Sequence, residues 1–163
     1  MLATLLQYSF GFVQEEGKAS HRAQPSGGGL YPIEMYPIVF SGTDECASGV
    51  YHYDVEAHAL ESLWERPFLE TDIAEFFSYP WALKTSVALV MTSVFDRNKK
   101  KYGPRGYRQI LIEAGHIGQN IYLVGESLGL KCCGFDGVNE RALEKLLDVD
   151  GYSESVVYTI LIG

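Results

Sequence analysis

The sequence is poor in cysteine and lacks long apolar runs. Its 163 residues include three cysteines, Cys46 and the adjacent pair Cys132 and Cys133. Their number and spacing do not indicate a disulfide framework, because three is odd and a disulfide between adjacent cysteines is usually strained. Apolar runs such as residues 86–95 have about half the ~20 residues that a membrane helix requires, and the first residues lack the basic region of a signal peptide. The sequence therefore predicts free thiols, no membrane partner and a cytoplasmic location.

Positive charge is also scarce. Lysine and arginine number 13 against 21 aspartates and glutamates, so the formal net charge is −8 at pH 7. A chain with this balance repels phosphate backbones, and nucleic-acid binding is not predicted. No cysteine or carboxylate spacing completes a metal site with the scattered histidines His21, His52 and His58, so no metal is predicted either.

The remaining composition fits one folded domain. Apolar residues make up 47% of the chain and charged residues 21%, which is ordinary for a globular protein. A chain of this length has room for one core, so a single domain is predicted over residues 1–163. The order of predicted helices and strands indicates an α+β fold built on one mixed sheet.

The hydrophobic pattern locates these elements, because apolar residues at helical spacing predict helices and alternating or β-branched runs predict strands. Helices are predicted over residues 2–10, 68–77, 105–128 and 139–147. Strands are predicted over residues 33–40, 50–54, 60–64, 86–95, 131–135 and 155–162. Strand 86–95 is expected to be central, and Pro37 is expected to put strand 33–40 at an edge or at a bulge. Residues 14–29 and 97–106 are expected to be loops.

Three consecutive glycines stand in the segment PSGGGLYP, residues 25–32. They allow backbone N–H groups to approach a flat or anionic ligand, so a cofactor cradle is one interpretation and a flexible surface turn is the other. The segment is not a Walker loop, which needs a lysine after the last glycine. It is not a dinucleotide fingerprint either, because that motif needs a preceding strand and a following helix. Ser26 is not predicted to be a nucleophile, since no G-x-S-x-G pattern surrounds it.

The long helix predicted over residues 105–128 carries small residues and amides in an apolar stretch. Gly115 and Gly118 allow another helix or a planar ring to approach, although each interior glycine costs roughly 1 kcal/mol of helix stability. Gln119 and Asn120 follow, and their amides would be costly to bury without partners. Close helix packing and contact with a ligand are both open interpretations of this stretch.

A basic segment precedes that helix. Six positive charges fall within residues 97–108, RNKKKYGPRGYR. A solvated basic loop is the plain interpretation. An anion site at the start of the helix is the alternative, because backbone N–H groups and the helix dipole favour negative charge there. A lysine or tyrosine in this segment is also a candidate proton acceptor.

Taken together, five segments resemble the nitroreductase superfamily, and most closely its SagB-type dehydrogenases, the group that contains the azoline oxidases of thiazole- and oxazole-modified peptides. The segments are PSGGGLYPIEMY, VYHYD, KYGPRGYR, EAGHIGQNIYL and GLKCCGF, in the family's order over nearly the whole chain. The resemblance implies an α+β flavoprotein with a mixed, mostly antiparallel sheet flanked by helices. It also implies an intertwined homodimer that binds FMN at its interface.

The resemblance further implies the site residues. Lys101 and Tyr102 match the lysine-tyrosine pair implicated in azoline oxidation, and they are implied to be catalytic. The implied FMN ligands are Arg22, Pro25, Ser26, Gly27, Gly28, Gly29, Arg105, Tyr107, Arg108, Gly115, Gln119 and Asn120. Oxidation of a thiazoline or oxazoline removes one ring proton and one hydride, so Lys101 or Tyr102 would take the proton and FMN the hydride. The implied substrate is an azoline on a peptide or a carrier.

Members of that group usually begin with an arginine-rich segment, R-R-S-x-R, that helps to hold the FMN phosphate, and the present sequence begins after that point. The chain is therefore expected to be a fragment or a separately encoded half, or else to hold the phosphate through Arg22 and residues 105–108 alone.

Two other functions remain open at this stage. One is a general nitroreductase that takes hydride from a nicotinamide cofactor, and the other is a flavin-free, non-catalytic partner subunit. Lys101 and Tyr102 favour azoline oxidation over the first of these, because a nitro or quinone acceptor has no ring proton that a base must remove.

Overall fold

In the computed structural model, which describes residues 1–13 and 21–163, the chain forms a six-stranded sheet covered by helices on both faces. The helices are α1 (Leu2–Phe10), α2 (Glu70–Phe76), α3 (Phe95–Tyr102), α4 (Arg105–Ser127) and α5 (Glu140–Leu147). The strands are β1 (Phe12–Val13), β2 (His21–Arg22), β3 (Ile33–Val39), β4 (Gly49–Asp54), β5 (Ala59–Glu65), β6 (Val87–Val94), β7 (Cys132–Gly134) and β8 (Glu154–Ile162). A short 3-10 helix at Pro80–Lys84 precedes β6.

The sheet has the strand order β5-β4-β3-β6-β8-β7, and every pairing between these neighbours is antiparallel. Strand β6 lies between β3 and β8, so the prediction that the continuous apolar run forms a central strand is confirmed. The α+β fold class is confirmed as well.

Alternate side chains of the central strand enter two separate cores. Leu89 and Met91 face a core formed with α1 and α4, whereas Ala88 and Val90 face a core formed with α2 and α5. All four side chains are fully buried, as the period of two along a strand requires when both faces are covered. The chain therefore has three layers, and α4 is the main helix on the face that carries the glycine segment.

The expectation that Pro37 puts its strand at an edge is wrong. Strand β3 lies between β4 and β6, and Pro37 is in register with Leu89 of β6. On its other side, however, β4 pairs with β3 only at Ile38 and Val39. Pro37 therefore stands where the ladder with β4 has ended, and a proline, which has no N–H to donate, is tolerated there.

The basic segment is not the predicted loop, because residues 95–102 form α3 and only a short turn at Gly103 and Pro104 separates it from α4. No glycine or proline interrupts the segment before Gly103. Asp96 lies in its first turn and three lysines lie in its last turn, an arrangement that complements the helix dipole. The charge pattern that suggested a loop therefore belongs to an exposed helix.

The predicted loop over residues 14–29 lies partly outside the described residues, since residues 14–20 are not among them. Its later part is not entirely a loop. His21 and Arg22 form β2, which pairs with β1 in a short antiparallel ribbon that sets Arg22 opposite Phe12. This ribbon fixes the direction in which the chain enters the glycine segment.

Helix α4 follows Pro104 and is succeeded by Gly129, as predicted. Pro104 fits at the helix start because the first N–H groups have no partner within the helix, and Gly129 adopts a φ of +73° that favours glycine. At about 1.5 Å per residue, the 23 residues of α4 extend roughly 34 Å. Among the described residues, no helix combines the length and the apolar character needed to cross a bilayer.

The N-cap of α5 provides a test of local stability. The Asn139 side-chain oxygen accepts a hydrogen bond from the Ala142 N–H at 3.3 Å. Replacing Asn139 by Ala is expected to lower the free energy of unfolding by about 1 kcal/mol, measured by urea denaturation, because the first turn loses this acceptor. Asn139→Asp keeps the acceptor and is the matched control. Equal losses in the two variants would contradict a capping role.

Candidate active site

The glycine segment forms a tight turn on the α4 side of the sheet. The Ser26 carbonyl accepts a hydrogen bond from the Gly29 N–H at 3.1 Å, and the Ser26 hydroxyl accepts one from the Tyr31 N–H at 2.9 Å. Gly28 and Gly29 have φ angles of +71° and +66°, which L side chains adopt only with strain. Gly28 and Gly29 therefore allow one defined backbone conformation, held by these hydrogen bonds. This differs from the flexible surface turn that was one interpretation of the segment.

Lys101 and Tyr102 lie directly against this turn. A Cβ atom added to Gly28 would be 2.8 Å from the Lys101 Nζ and still closer to the Tyr102 Oη. The Lys101 Nζ also lies 5.4 Å from the centre of the Tyr102 ring. The end of α3 thus brings two groups that can exchange protons onto the backbone of the glycine turn. Their catalytic roles remain predictions.

Arg22 enters the same region from β2 and is enclosed by aromatic rings. Its guanidinium carbon lies 5.1 Å from the ring centre of Phe10, 5.9 Å from that of Phe12 and 4.8 Å from that of Tyr31. Burial lowers the pKa of Arg22 from its ordinary value. Its Nε and Nη1 atoms are buried without a hydrogen-bond partner among the described residues. A half-buried cation whose buried donors lack partners in the described part of the chain is suited to an anionic group.

Glu113 of α4 lies beneath the glycine turn and is 2% exposed. Neither carboxylate oxygen has a hydrogen-bond partner within the described part of the chain, and the same holds for both amide atoms of the buried Gln24. Burial raises the pKa of Glu113 above its usual value, although the nearby Ser26, Gln24 and Arg22 act in the opposite direction. The Ser26 hydroxyl and the Gln24 amide are close enough to act on the carboxylate's charge but do not reach it in hydrogen-bond geometry.

Sequence reasoning missed Glu113 and Gln109 as members of this site. Gln109 underlies the turn, since a Cβ atom on Gly27 would lie 2.9 Å from its Oε1. Glu113 follows one helical turn later and is the only acidic residue of α4 before Glu126. A single carboxylate between the buried Ile110 and Ile117 was the signal that could have found it.

The other predicted cofactor ligands are divided between two places. Arg105, Tyr107 and Arg108 are exposed in the first turn of α4, where the Tyr107 ring stacks on Phe95 with ring centres 6.0 Å apart. Gly115 is exposed on the outer side of α4, and a Cβ atom on it would meet no atom of residues 1–13 or 21–163 within 4 Å.

Gln119 is also exposed on that outer side, whereas Asn120 is half-buried and donates a hydrogen bond from Nδ2 to the Ser9 carbonyl at 3.2 Å. Within one chain, the structure therefore brings Arg22, residues 26–29 and the pair Lys101 and Tyr102 together. It does not bring Gly115 and Gln119 to them.

Charged side chains connect the glycine turn to the sheet. Arg97 of α3 donates from Nη1 to the Tyr31 carbonyl at 2.8 Å and forms an ion pair with Glu34 of β3. The second oxygen of Glu34 lies 3.2 Å from His52 Nε2, and His52 Nδ1 lies 2.9 Å from Glu61. Because both ring nitrogens face carboxylate oxygens, the protonated imidazolium is favoured. The hydrogen bond to Glu34 raises the pKa of His52, against the effect of burial.

This arrangement predicts a pH-dependent contribution to stability. A histidine with a raised pKa stabilises the fold fully below its unfolded value of about 6.5, and the contribution is lost as pH rises through the folded pKa. The difference in unfolding free energy between the native chain and His52→Gln is expected to be about 1 kcal/mol at low pH and to shrink towards pH 8.5. Urea denaturation at several pH values measures it. In a Glu34→Gln background the pH dependence should be weaker, and an unchanged slope would contradict the pairing.

A groove of about 750 Å³ lies elsewhere, between β5 and α5. Its lining includes Trp64, Phe76, Leu146 and three basic side chains, and it contains none of the predicted site residues. The glycine turn with α3 is therefore the candidate active site on chemical grounds rather than by the size of a cavity.

The sequence and this fold, an antiparallel sheet between two helical layers, both match a known family. The sequence profile of the Nitroreductase family matches residues 3–163. The chain therefore belongs to the nitroreductase family, and the resemblance that the five segments suggested is confirmed at that level.

Individual relatives include proteins named for nitroreduction and for peptide processing. MJ1384 of Methanocaldococcus jannaschii, which carries a nitroreductase name, is 27% identical over 93% of this chain. The trifolitoxin-processing protein TfxB of Rhizobium leguminosarum is 30% identical over 90% of this chain, and the microcin B17-processing protein McbC of Escherichia coli is 34% identical over 79%.

Two solved structures share the fold closely. A protein of Anabaena variabilis with a nitroreductase name superposes over 99% of this chain with a TM-score of 0.86 and 32% identity. The superposed part is 34% of the Anabaena chain. A chain of the E. coli microcin synthetase McbBCD complex, solved with truncated pro-MccB17 bound, superposes over 99% of this chain with a TM-score of 0.85 and 28% identity. The superposed part is 62% of the chain from that complex.

The chain is shorter than these relatives. It spans 74% of MJ1384, 40% of TfxB and 49% of McbC. The match thus covers nearly all of the present chain but only part of each processing protein.

Proposed function

We propose that this chain is an FMN-dependent oxidoreductase domain that oxidises thiazoline or oxazoline rings of a peptide to the aromatic azoles. Membership of the nitroreductase family supports an oxidoreductase. Similarity to TfxB and McbC, both named as processing proteins of peptide toxins, supports a peptide substrate. The chain covers less than half of each, so the substrate is part of the proposal.

The observation that carries the proposal is the contact of Lys101 and Tyr102 with Gly28. Azole formation removes a proton from one ring carbon as a hydride leaves another, so a proton acceptor is needed beside the hydride acceptor. The turn provides an open backbone surface at Gly29, where no atom of the described residues lies within 4 Å of an added Cβ atom. A planar ligand held over that surface would lie beside the Lys101 amine and the Tyr102 hydroxyl, which contact the neighbouring Gly28.

The residues around the turn fit a flavin with a phosphate tail. FMN, when bound, supplies the two-electron acceptor for the hydride. The glycine turn offers the close backbone approach that a planar ring requires. Arg22 offers buried donors that have no partner within residues 1–13 and 21–163, and such donors suit a phosphate or another anion.

The outer side of α4 supports a homodimer. Several of its large apolar side chains are 38–63% exposed. Together they form an apolar patch that a second helix would cover. They are Tyr107, Leu111, Ile112, Tyr122 and Leu123. Gly115 and Gln119 lie on the same outer side. A second copy packed there would bring its own glycine turn or its own amides to a shared site, and this pairing is part of the proposal.

One alternative is favoured by a specific observation. The similarity to MJ1384 and to the Anabaena protein, both with nitroreductase names, supports a general nitroreductase that takes hydride from NADPH. Turnover of NADPH with a nitroaromatic acceptor would favour this alternative. Turnover of an azoline peptide without a nicotinamide cofactor would favour azoline oxidation.

The experiment that tests the proposal combines a visible absorption spectrum with the mass of the purified protein in solution. The spectrum is recorded before and after addition of FMN. We expect a bound-flavin spectrum on a dimer, followed by loss of two hydrogen atoms from an azoline peptide. A colourless dimer that takes up no FMN at micromolar excess would contradict the proposal and indicate a non-catalytic subunit. If the protein binds flavin but turns over only nitroaromatics, the proposed azoline substrate is contradicted.

A further inference from the structure

Arg97 lies on the same helix as the proposed base and one turn before it. Residues four apart on a helix share a face, so Arg97 and Lys101 project from the same side of α3. The Arg97 guanidinium has two separate partners in other elements, the Tyr31 carbonyl at 2.8 Å and the Glu34 carboxylate. It therefore links α3 both to the end of the glycine turn and to β3.

Tyr31 is the residue through which this link reaches the turn. It has a φ of +44°, which is unusual for a residue with a side chain and persists only where neighbouring contacts hold it. Its N–H donates to the Ser26 hydroxyl at 2.9 Å, and its own hydroxyl accepts from the Arg22 N–H at 3.2 Å. The bond from Arg97 holds the Tyr31 carbonyl, so the turn is fixed at both ends.

Glu34 anchors the arginine from the sheet side. Its side chain is 14% exposed, against 41% for Arg97, and its two oxygens accept from Arg97 and from His52. Burial alone would raise the pKa of Glu34, but the hydrogen bond from His52 and the charge of Arg97 hold it below its usual value. The anchor is therefore a charged, half-buried carboxylate with both oxygens occupied, and such a group fixes its partners in place.

We propose that Arg97 is a positioning residue for the reaction, and that Glu34 is its anchor. Arg97 ties the helix that carries Lys101 and Tyr102 to the glycine turn, and so sets both side chains over Gly28. This inference rests on the proposed role of the pair as proton acceptor. It goes beyond that role because the atoms nearest to an added Cβ at Gly28 belong to Lys101 and Tyr102, not to Arg97 or Glu34.

Arg97→Lys is the most informative substitution. One guanidinium nitrogen of Arg97, Nη1, contacts both the Tyr31 carbonyl and the Glu34 carboxylate. Lysine keeps the charge and can still pair with Glu34, but its ammonium is a point charge on a flexible stem, whereas Nη1 is held by a planar, rigid guanidinium. Lysine is therefore expected to hold α3 to the Tyr31 carbonyl less firmly while the ion pair remains. Glu34→Gln tests the anchor, and Lys100→Gln is the matched control, because Lys100 is exposed on the same helix and pairs only with Asp96 among the described residues.

The positioning claim is tested first without turnover. The rate at which an acylating reagent modifies the Lys101 amine, followed by peptide mass spectrometry, reports the surroundings of that amine. We expect Arg97→Lys and Glu34→Gln to change this rate at least threefold and Lys100→Gln to leave it unchanged. An unchanged Lys101 rate in both folded variants would overturn the proposal, whether or not the protein proves to oxidise azolines.

The kinetic test uses the flavin-loaded protein and an azoline peptide. A misplaced catalytic group can cost about 10²-fold in rate, so Arg97→Lys is expected to lower kcat about 10- to 100-fold with KM changed less than about threefold. A native kcat combined with a lower melting temperature would show a purely structural role and overturn the inference. If Lys101→Ala itself left kcat unchanged, the proposed function would fail, and the labelling result would still decide whether Arg97 positions the pair.

Discussion

Replacing Lys101 by alanine and Tyr102 by phenylalanine is expected to lower the rate of azole formation about 10²- to 10⁴-fold in at least one of the two variants, the range typical of general base catalysis. The reason is geometric. Both reactive atoms lie against the Gly28 backbone, and no other lysine or tyrosine among the described residues approaches an added Cβ at Gly28 as closely. Removing the acceptor leaves the ring proton without a base while the hydride acceptor stays in place.

The double variant distinguishes a shared role from two separate ones. If Lys101 and Tyr102 act as one unit, the combined loss should be close to the larger single loss, because the effects of groups that act together are not additive. The measurement is single-turnover conversion of an azoline peptide, with the flavin spectrum recorded for each variant. Lys100→Ala, one residue earlier on the same helix, should retain the native rate. Azole formation at the native rate in all variants with flavin bound would rule out the pair as the base.

The fold was largely predictable because its elements carry strong local signals. The apolar run of β6 is covered on both faces, and α4 begins after Pro104 and is followed by Gly129 at positive φ. The N-cap Asn139 marked α5 in the same way. Each of these signals depends on a few neighbouring residues in the sequence, and tertiary contacts did not override them.

The error at α3 has a physical cause. A run of basic residues before Gly103 and Pro104 suggested a loop, because charge and turn residues usually mark solvated connections. Lysine and arginine are nevertheless good helix formers, and the dipole favours them in the last turn. The consequence for function is that Lys101 and Tyr102 stand on a rigid element rather than on a loop.

The candidate site was predictable only where its residues belong to motifs. The glycine segment and the pair Lys101 and Tyr102 were identified from the sequence, and the structure brings them into contact. Glu113 and the pair Arg97 and Glu34 were not identified, because each acts through a contact between elements far apart in the chain. The outward direction of Gly115 and Gln119 could not be read from helical spacing alone, since two faces of α4 are rich in apolar residues.

The second large effect is expected at the glycine turn, where Gly28 and Gly29 form a matched pair. Both have positive φ, so an alanine at either position carries a similar strain of about 1–2 kcal/mol. They differ in what the new methyl group meets. At Gly28 it meets the ends of the Lys101 and Tyr102 side chains, whereas at Gly29 it meets no described atom within 4 Å. The two substitutions therefore separate the position of the base from the surface offered to a ligand.

Gly28→Ala is expected to lower kcat about 10²-fold at saturating FMN, because the methyl group displaces both proton-accepting atoms. These atoms are the ends of flexible side chains, so they move aside and the loss of unfolding free energy should match that of Gly29→Ala within about 1 kcal/mol.

Gly29→Ala should raise the Kd for FMN about tenfold and leave kcat at saturating FMN near the native value, since its methyl group meets the ligand rather than the base. Flavin titration, urea denaturation and single-turnover kinetics on both variants measure the three quantities. Equal losses of kcat at the two positions would contradict the assignment of separate roles, because the turn would then act only through its backbone strain.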